Sequence, residues 1–250
     1  MKIGMTSLTL RNECVENVIK YACEAGISGI EWGVSDLHMP LCDKKQAEKI
    51  RHLSKKSGIE IFSLGSYCYM LDRNECEKTL ETAIMLSAPI IRLWAGTNNW
   101  NDSNNTAIET IIQNTLYMSK LAKNEGIRLG FEFHTNTLTE GADNAVKLME
   151  IIAEKNVGLY WQPSGNISPM ENCENLNKVK PYLIGNLHIH NYNSEQGYQL
   201  LSDIKDNLNL YYNDIKEEDY NLLIEFVKDD SVENLLADAD TLLGLFNDKI

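Results

Sequence analysis

Residues 128–134 read RLGFEFH and residues 185–190 read GNLHIH. In both, apolar and polar side chains alternate: Phe131 and Phe133 against Glu132 and His134, Leu187 and Ile189 against His188 and His190. Successive side chains of a β-strand point to opposite faces, so each run has one apolar face to bury and one face that gathers carboxylates and imidazoles. The same alternation sets Glu225 between Ile224 and Phe226, Arg92 and Trp94 around Leu93, Glu31 between Ile30 and Trp32, and Gln162 beside Trp161. Strands that bury an apolar face against helices and turn polar groups inward are read as the wall of a closed barrel.

The rest of the chain has the matching rhythm. Apolar, β-rich runs recur about every 30 residues, each followed by a helix with a 3.6-residue period. Eight are expected, over Lys2–Ser7, Gly29–Gly33, Glu60–Gly65, Ile90–Ala95, Arg128–His134, Gly158–Gln162, Gly185–His190 and Leu222–Val227. Between them Val15, Val18, Ile19 and Ala22 share one helix face, as do Ala145, Leu148, Met149 and Ile152. Gly26, Gly58 and Gly126 stand between a helix and a strand, where a left-handed cap is needed. The last helix is expected to start at an Asp230-Ser231-Val232-Glu233 capping box and to bury Leu235, Ala239, Leu242 and Phe246. These signals predict an α/β fold, a single (β/α)8 barrel over residues 1–250 as one domain. Residues 195–219 exceed what one helix needs and are expected in part as a loop over the barrel mouth.

Composition narrows the function. A formal charge of -13 repels nucleic-acid phosphates and anionic membrane surfaces, so neither is expected as a partner. The first residues lack a long apolar run or a small-residue cleavage site, which gives a cytoplasmic expectation. The six cysteines are scattered without CxxC spacing and are expected to be reduced thiols.

Barrel sites lie at the C-terminal ends of the strands, which is where the inward polar groups fall. Glu31 or Arg92 alone is as readily an ion-paired core residue as a ligand contact. Glu132, His188 and Glu225 together are different, because several such groups on one rim are costly to desolvate unless water, a cation or a ligand fills the space. His52, among Lys55 and Lys56, reads as a solvated helix residue, and Trp32 and Trp161 as core.

At IEWG (30–33), FEFH (131–134), NLHIH (186–190) and LLIEFV (222–227) the chain resembles the xylose isomerase-like TIM-barrel superfamily of sugar isomerases and epimerases over nearly its whole length. In its ketose 3-epimerases a divalent ion is held by Glu, Asp, His and Glu, which implies Glu132, Gln162, His188 and Glu225 here. Gln162, in YWQPSGN (160–166), puts an amide where the family has a carboxylate, so the implied Mn²⁺, Mg²⁺ or Zn²⁺ is weakly bound. The implied substrate contacts are Glu31, His38, Arg92, Trp94, His134 and His190. Glu140 is a loose match to the family's second glutamate, and Asn191 and Asn193 stand where its basic residues follow the seventh strand.

The resemblance implies metal-assisted proton abstraction next to a carbonyl, with Glu132 and Glu225 as the catalytic base and acid and a small carbohydrate as partner. Two alternatives stay open: a sugar-acid or inosose dehydratase, and a non-catalytic sugar-binding barrel that lost its fourth carboxylate. The superfamily's three-zinc endonuclease needs many histidines and a basic surface, and five histidines in an acidic chain argue against it. After the eighth run, Lys228-Asp229-Asp230-Ser231 offers no glycine and two aspartates, so an unphosphorylated sugar is expected. A homo-oligomer is compatible with this reading.

Overall fold

The computed structural model describes residues 1–216 and 218–247. Ten strands form among these described residues: β1 Lys2–Thr6, β2 Gly29–Gly33, β3 Glu60–Gly65, β4 Ile90–Leu93, β5 Arg128–Glu132, β6 Val157–Tyr160, β7 Asn186–Ile189, β8 Asn191–Asn193, β9 Gly197–Gln199 and β10 Asn221–Ile224. Eight of them make one parallel sheet in the order β6-β5-β4-β3-β2-β1-β10-β7, and β8 and β9 form a separate antiparallel hairpin. The ends of the sheet meet without a regular ladder: the His188 amide donates to the Trp161 carbonyl (3.1 Å) and the Ile184 amide to that of Leu159 (3.3 Å). The result is the expected (β/α)8 barrel, closed through this thin seam.

Among the described residues eight α-helices surround it: α1 Val15–Glu24, α2 Lys44–Ser57, α3 Arg73–Leu86, α4 Asn105–Asn124, α5 Ala142–Ile152, α6 Pro169–Val179, α7 Lys205–Ile215 and α8 Val232–Asn247. Their stripes pack as the periodicity demands, with Val15, Val18, Ile19 and Ala22 of α1 and Leu235, Ala239 and Leu242 of α8 all buried. Gly26, Gly58 and Gly126 take φ of 66°, 70° and 70°, the left-handed turn expected of them. The start of α8 differs from expectation by one residue. Ser231, not Asp230, accepts from the backbone, at the Asn234 amide (3.2 Å). Asp229 and Asp230 take positive φ (57° and 48°), which carries the chain away from the helix axis before the cap.

The described residues of 195–219 include β9, which pairs with β8 just before them, a short 3₁₀ turn and α7. Among the described residues no helix is long and apolar enough to cross a membrane, and the six cysteines carry no disulfide.

Inside the barrel, Phe62, Ile90, Tyr160, Ile184 and Leu223 fill the lower lumen. Phe62 gets there through a register shift: Ile30 pairs with Ile61 but Glu31 with Ser63, so Phe62 is the extra residue. A bulge of this kind lets two consecutive side chains face the same side. Gly29 makes room for the ring, since a Cβ there would lie 2.4 Å from Phe62. Gly29→Ala should therefore destabilise by about 1–3 kcal/mol through overpacking; an unchanged calorimetric melting temperature would show that Phe62 moves aside freely.

Candidate active site

Above that apolar floor lies a layer of charge. The Arg92 guanidinium on β4 donates through Nε to Glu31 Oε1 on β2 (2.8 Å) and through a terminal nitrogen to Glu132 Oε2 on β5. Ser63 donates to the other Glu31 oxygen (2.7 Å). Asn186 links this layer to the one below, donating to Ser63 Oγ (3.1 Å) and to the Tyr160 hydroxyl (2.7 Å). Arg92 is 3% exposed and Glu31 1%, so neither is solvated and each depends on the other.

His188 on β7 is fully buried beside them. Its Nε2 lies 3.3 Å from Glu31 Oε1, while Nδ1 lies 3.2 Å from Glu225 Oε1 and 3.7 Å from Glu132 Oε1. Among the described residues neither ring nitrogen has a directed hydrogen-bond partner. Burial disfavours charge on this ring, yet Glu225, Glu31 and Glu132 outweigh burial and push its pKa well above the usual imidazole value. Burial likewise opposes ionisation of the carboxylates. Arg92 and His188 nonetheless hold Glu31 down to about 2, and His188 with His190 holds Glu225 well below its ordinary range.

The sign of the linkage follows. Stability from Glu31 and Glu225 is present above their unfolded value near pH 4.5 and is lost as pH falls through their folded values. Stability from His188 is fully present below about pH 6.5 and is lost as pH rises through its raised folded value. Chelator-treated protein should therefore melt highest between about pH 5 and 6.5; a melting temperature that keeps climbing above neutrality would contradict the burial of a protonated His188.

One donor atom each from Glu132, His188 and Glu225 fall within 4.8 Å of one another. Ligand atoms around one ion at 2.0–2.2 Å are at most about 4.4 Å apart, so a small closure of these side chains makes a site. Formal charge agrees, because three carboxylates against one guanidinium leave two negative charges when His188 is neutral. Glu31 stands behind His188 as an outer carboxylate, the arrangement that aims the far ring nitrogen at a metal. Gln162 donates to the Phe133 carbonyl (2.9 Å) and to Glu132 Oε1 (3.4 Å), and its own Oε1 is buried without a partner among the described residues. Its oxygen is thus uncommitted, and Glu132, His188 and Glu225 fit a divalent ion.

Glu132, Gln162 and Glu225 form the base of a cavity of about 550 Å³ at the C-terminal mouth, lined also by Glu31, Arg92, Trp94, His134 and His190, with His188 fully buried against the carboxylates. Trp94 stacks on His134 with ring centroids 4.2 Å apart, and His190 Nδ1 lies 3.6 Å from Glu225 Oε2. Glu140 is on the rim, where it accepts from the Asn136 amide (2.8 Å).

His38 is a correction. It lies outside this cavity, with Nδ1 2.9 Å from Ser7 Oγ and Nε2 2.9 Å from the Glu13 carbonyl. Burial pushes its pKa down. It is a neutral brace for the loop after β1, with no nitrogen left for a substrate.

Sequence reasoning missed Ser63, hidden by the bulge, Tyr67 after β3, and Tyr192 and Tyr198, which the β8–β9 hairpin brings to the mouth. Asn186 was findable, since it shares the inward parity of His188 and His190.

No curated protein sequence matches the chain. Solved structures do. The probable 3-DHS dehydratase AsbF of petrobactin synthesis from Bacillus anthracis superposes with a TM-score of 0.80 at 17% identity, over 97% of this chain and 98% of that one. The 3-keto-D-glucoside 4-epimerase YcjR from E. coli gives 0.74 at 15%, over 99% of both chains. A xylose isomerase-like barrel protein from Mycobacterium smegmatis in complex with magnesium gives 0.69 at 15%, over 98% and 96%. At such identities these likenesses show the fold alone. The sequence itself matches the model of the xylose isomerase-like TIM barrel over residues 19–218, and the chain belongs to that family.

Proposed function

We propose that the protein is a metal-dependent sugar isomerase or epimerase that moves a proton next to a carbonyl of an unphosphorylated carbohydrate. The observation that carries this is the pair of carboxylates, Glu132 and Glu225, that line the base of an open cavity, with His188 buried against both. A divalent ion held by Glu132, His188, Glu225 and the Gln162 carbonyl supplies, when bound, positive charge for a developing ene-diolate. Glu132 ends β5 and Glu225 follows β10, three strands apart around the barrel through the β6–β7 seam, so they reach a bound sugar from two sides, one taking the proton and the other returning it. Arg92 fixes the Glu132 carboxylate by one oxygen, leaving the other toward the cavity. His190, beside Glu225, exchanges protons with the mouth.

The preference for an unphosphorylated substrate has its own support. Among the described residues that line the cavity, Arg92 is the one lysine or arginine, and it is committed to Glu31 and Glu132. At the start of α8, Ser231 already occupies a backbone donor, and Asp229 and Asp230 precede it.

The test is solvent-deuterium exchange into a panel of free ketoses by protein assayed for metal content. Incorporation without net loss of water supports the proposal. Water loss indicates the dehydratase reading, and no incorporation with any member refutes proton abstraction. Gln162→Asp should tighten Mn²⁺ binding by about tenfold, because a charged oxygen replaces a neutral one. Calorimetric titration measures it, and an ion already retained by the parent protein through chelator dialysis would overturn that account of Gln162.

A further inference from the structure

The mouth has features that proton transfer at the base does not use. Among the described residues, the exposed large apolar side chains include two aromatic ones, Tyr67 at 44% and Tyr192 at 38%, and both line this cavity. Tyr67 follows β3 and Tyr192 follows β7, strands four places apart in the eight-stranded sheet, so the rings stand on opposite sides of the opening.

Both rings are held in place. Tyr67 packs on Trp94 (6.2 Å between centroids), and the backbone beyond it is tied to the loop after β4 by Trp94 N–H to the Cys68 carbonyl (3.0 Å) and Gly96 N–H to the Tyr69 carbonyl (3.1 Å). Across the mouth Tyr192 packs on Tyr198 (5.1 Å) and Tyr198 on Phe226 (5.2 Å). The backbone of Tyr192 is pressed onto the loop after β6, where a Cβ on Gly165 would fall 1.7 Å from the Tyr192 carbonyl oxygen. Fixed aromatic faces left half in water are the mark of a surface that a ligand covers.

The chemistry of that ligand is constrained. Among the described residues that line the cavity the one lysine or arginine is already paired, which disfavours an anion at the mouth, and the aromatic faces favour apolar C–H or ring surfaces. Sites of about 300–1,000 Å³ hold ligands of drug size, and at about 550 Å³ this one has room for two rings.

We propose that the mouth is a second subsite and that the natural ligand is a neutral glycoside whose sugar ring bears a ketone, because the glycosidic carbon is an acetal and leaves no carbonyl of its own beside which a proton can be taken. Its reacting sugar lies on the Glu132–Glu225 base, and its glycosidic partner, a second sugar or an aglycone, lies between Tyr67 and Tyr192. This rests on the carbohydrate chemistry proposed for the base of the cavity.

Calorimetric titration of the Mn²⁺-supplemented protein with D-glucose, D-galactose and D-mannose and with their methyl and phenyl glycosides tests it. For at least one sugar the phenyl glycoside should bind about tenfold more tightly than the methyl glycoside, the size of one good aromatic stacking contact. Tyr67→Ala and Tyr192→Ala should each bring that ratio toward one, while Tyr67→Phe and Tyr192→Phe keep it. A melting curve for each variant establishes that it is folded. A ratio near one for all three sugars, a ratio that survives both alanine variants, or no binding by any probe overturns the subsite. Mn²⁺ affinity and deuterium exchange are read separately, so failure of the metal chemistry with a retained phenyl preference sinks the proposed reaction and not the subsite.

Discussion

Arg92→Met is expected to lower the melting temperature by roughly 6–20 °C, since breaking a buried ion pair from one side costs about 3–5 kcal/mol and a chain of this size loses roughly 2–4 °C per kcal/mol. The cause is what remains behind. Glu31 and Glu132 would keep their buried positions without the guanidinium that now contacts both. The difference between variant and parent should shrink toward pH 4, where protonation relieves the stranded carboxylates, and added Mn²⁺ should restore part of it at neutral pH. Scanning calorimetry across pH 4–8 measures both. A loss under about 2 °C at pH 7 would mean that water reaches Glu31 and Glu132, and that the buried charge layer is not as described.

Glu225→Gln should reduce deuterium exchange into a responsive sugar by about 10²–10⁴-fold, the usual contribution of a positioned acid or base. The amide preserves shape, and His190 and His188 remain beside it, so far-UV circular dichroism should show a folded barrel. Glu132→Gln should lose a comparable factor. The two losses should not multiply in the double variant, because both groups act as a unit in one sequence of proton removal and return. Exchange at the parental rate in Glu225→Gln would remove Glu225 from that step.

What was legible in the sequence was whatever a period of two or 3.6 residues can encode. The eight barrel strands fall where alternation placed them, and Glu132, His188 and Glu225 come within 4.8 Å because three strands kept perfect parity. Strands β4, β5 and β10 end earlier than their alternating runs. Their ladders stop while the side-chain pattern continues, so Trp94, His134 and Glu225 sit just past strand ends. Parity failed at Phe62 and Ser63, where one inserted residue turns both inward. It could not show that Glu31 and Arg92 meet each other, since residues 61 positions apart are joined only by barrel closure. His38 was misjudged because a histidine in a loop has no periodicity to say which way it faces.

The seam between β6 and β7 has a mechanical consequence. Every other junction of the barrel is a ladder, whereas this one depends on a pair of backbone bonds and the packing around them. Gln162 lies just beyond the end of β6 and His188 within β7, so the donor groups gathered at the base of the cavity straddle the joint. An ion bound there would act as a clasp across this joint. Amide protons of β6 and β7 should then exchange by local opening in the stripped protein and only by global unfolding in the loaded one, tying the working lifetime of the barrel to the same atoms proposed to do its chemistry.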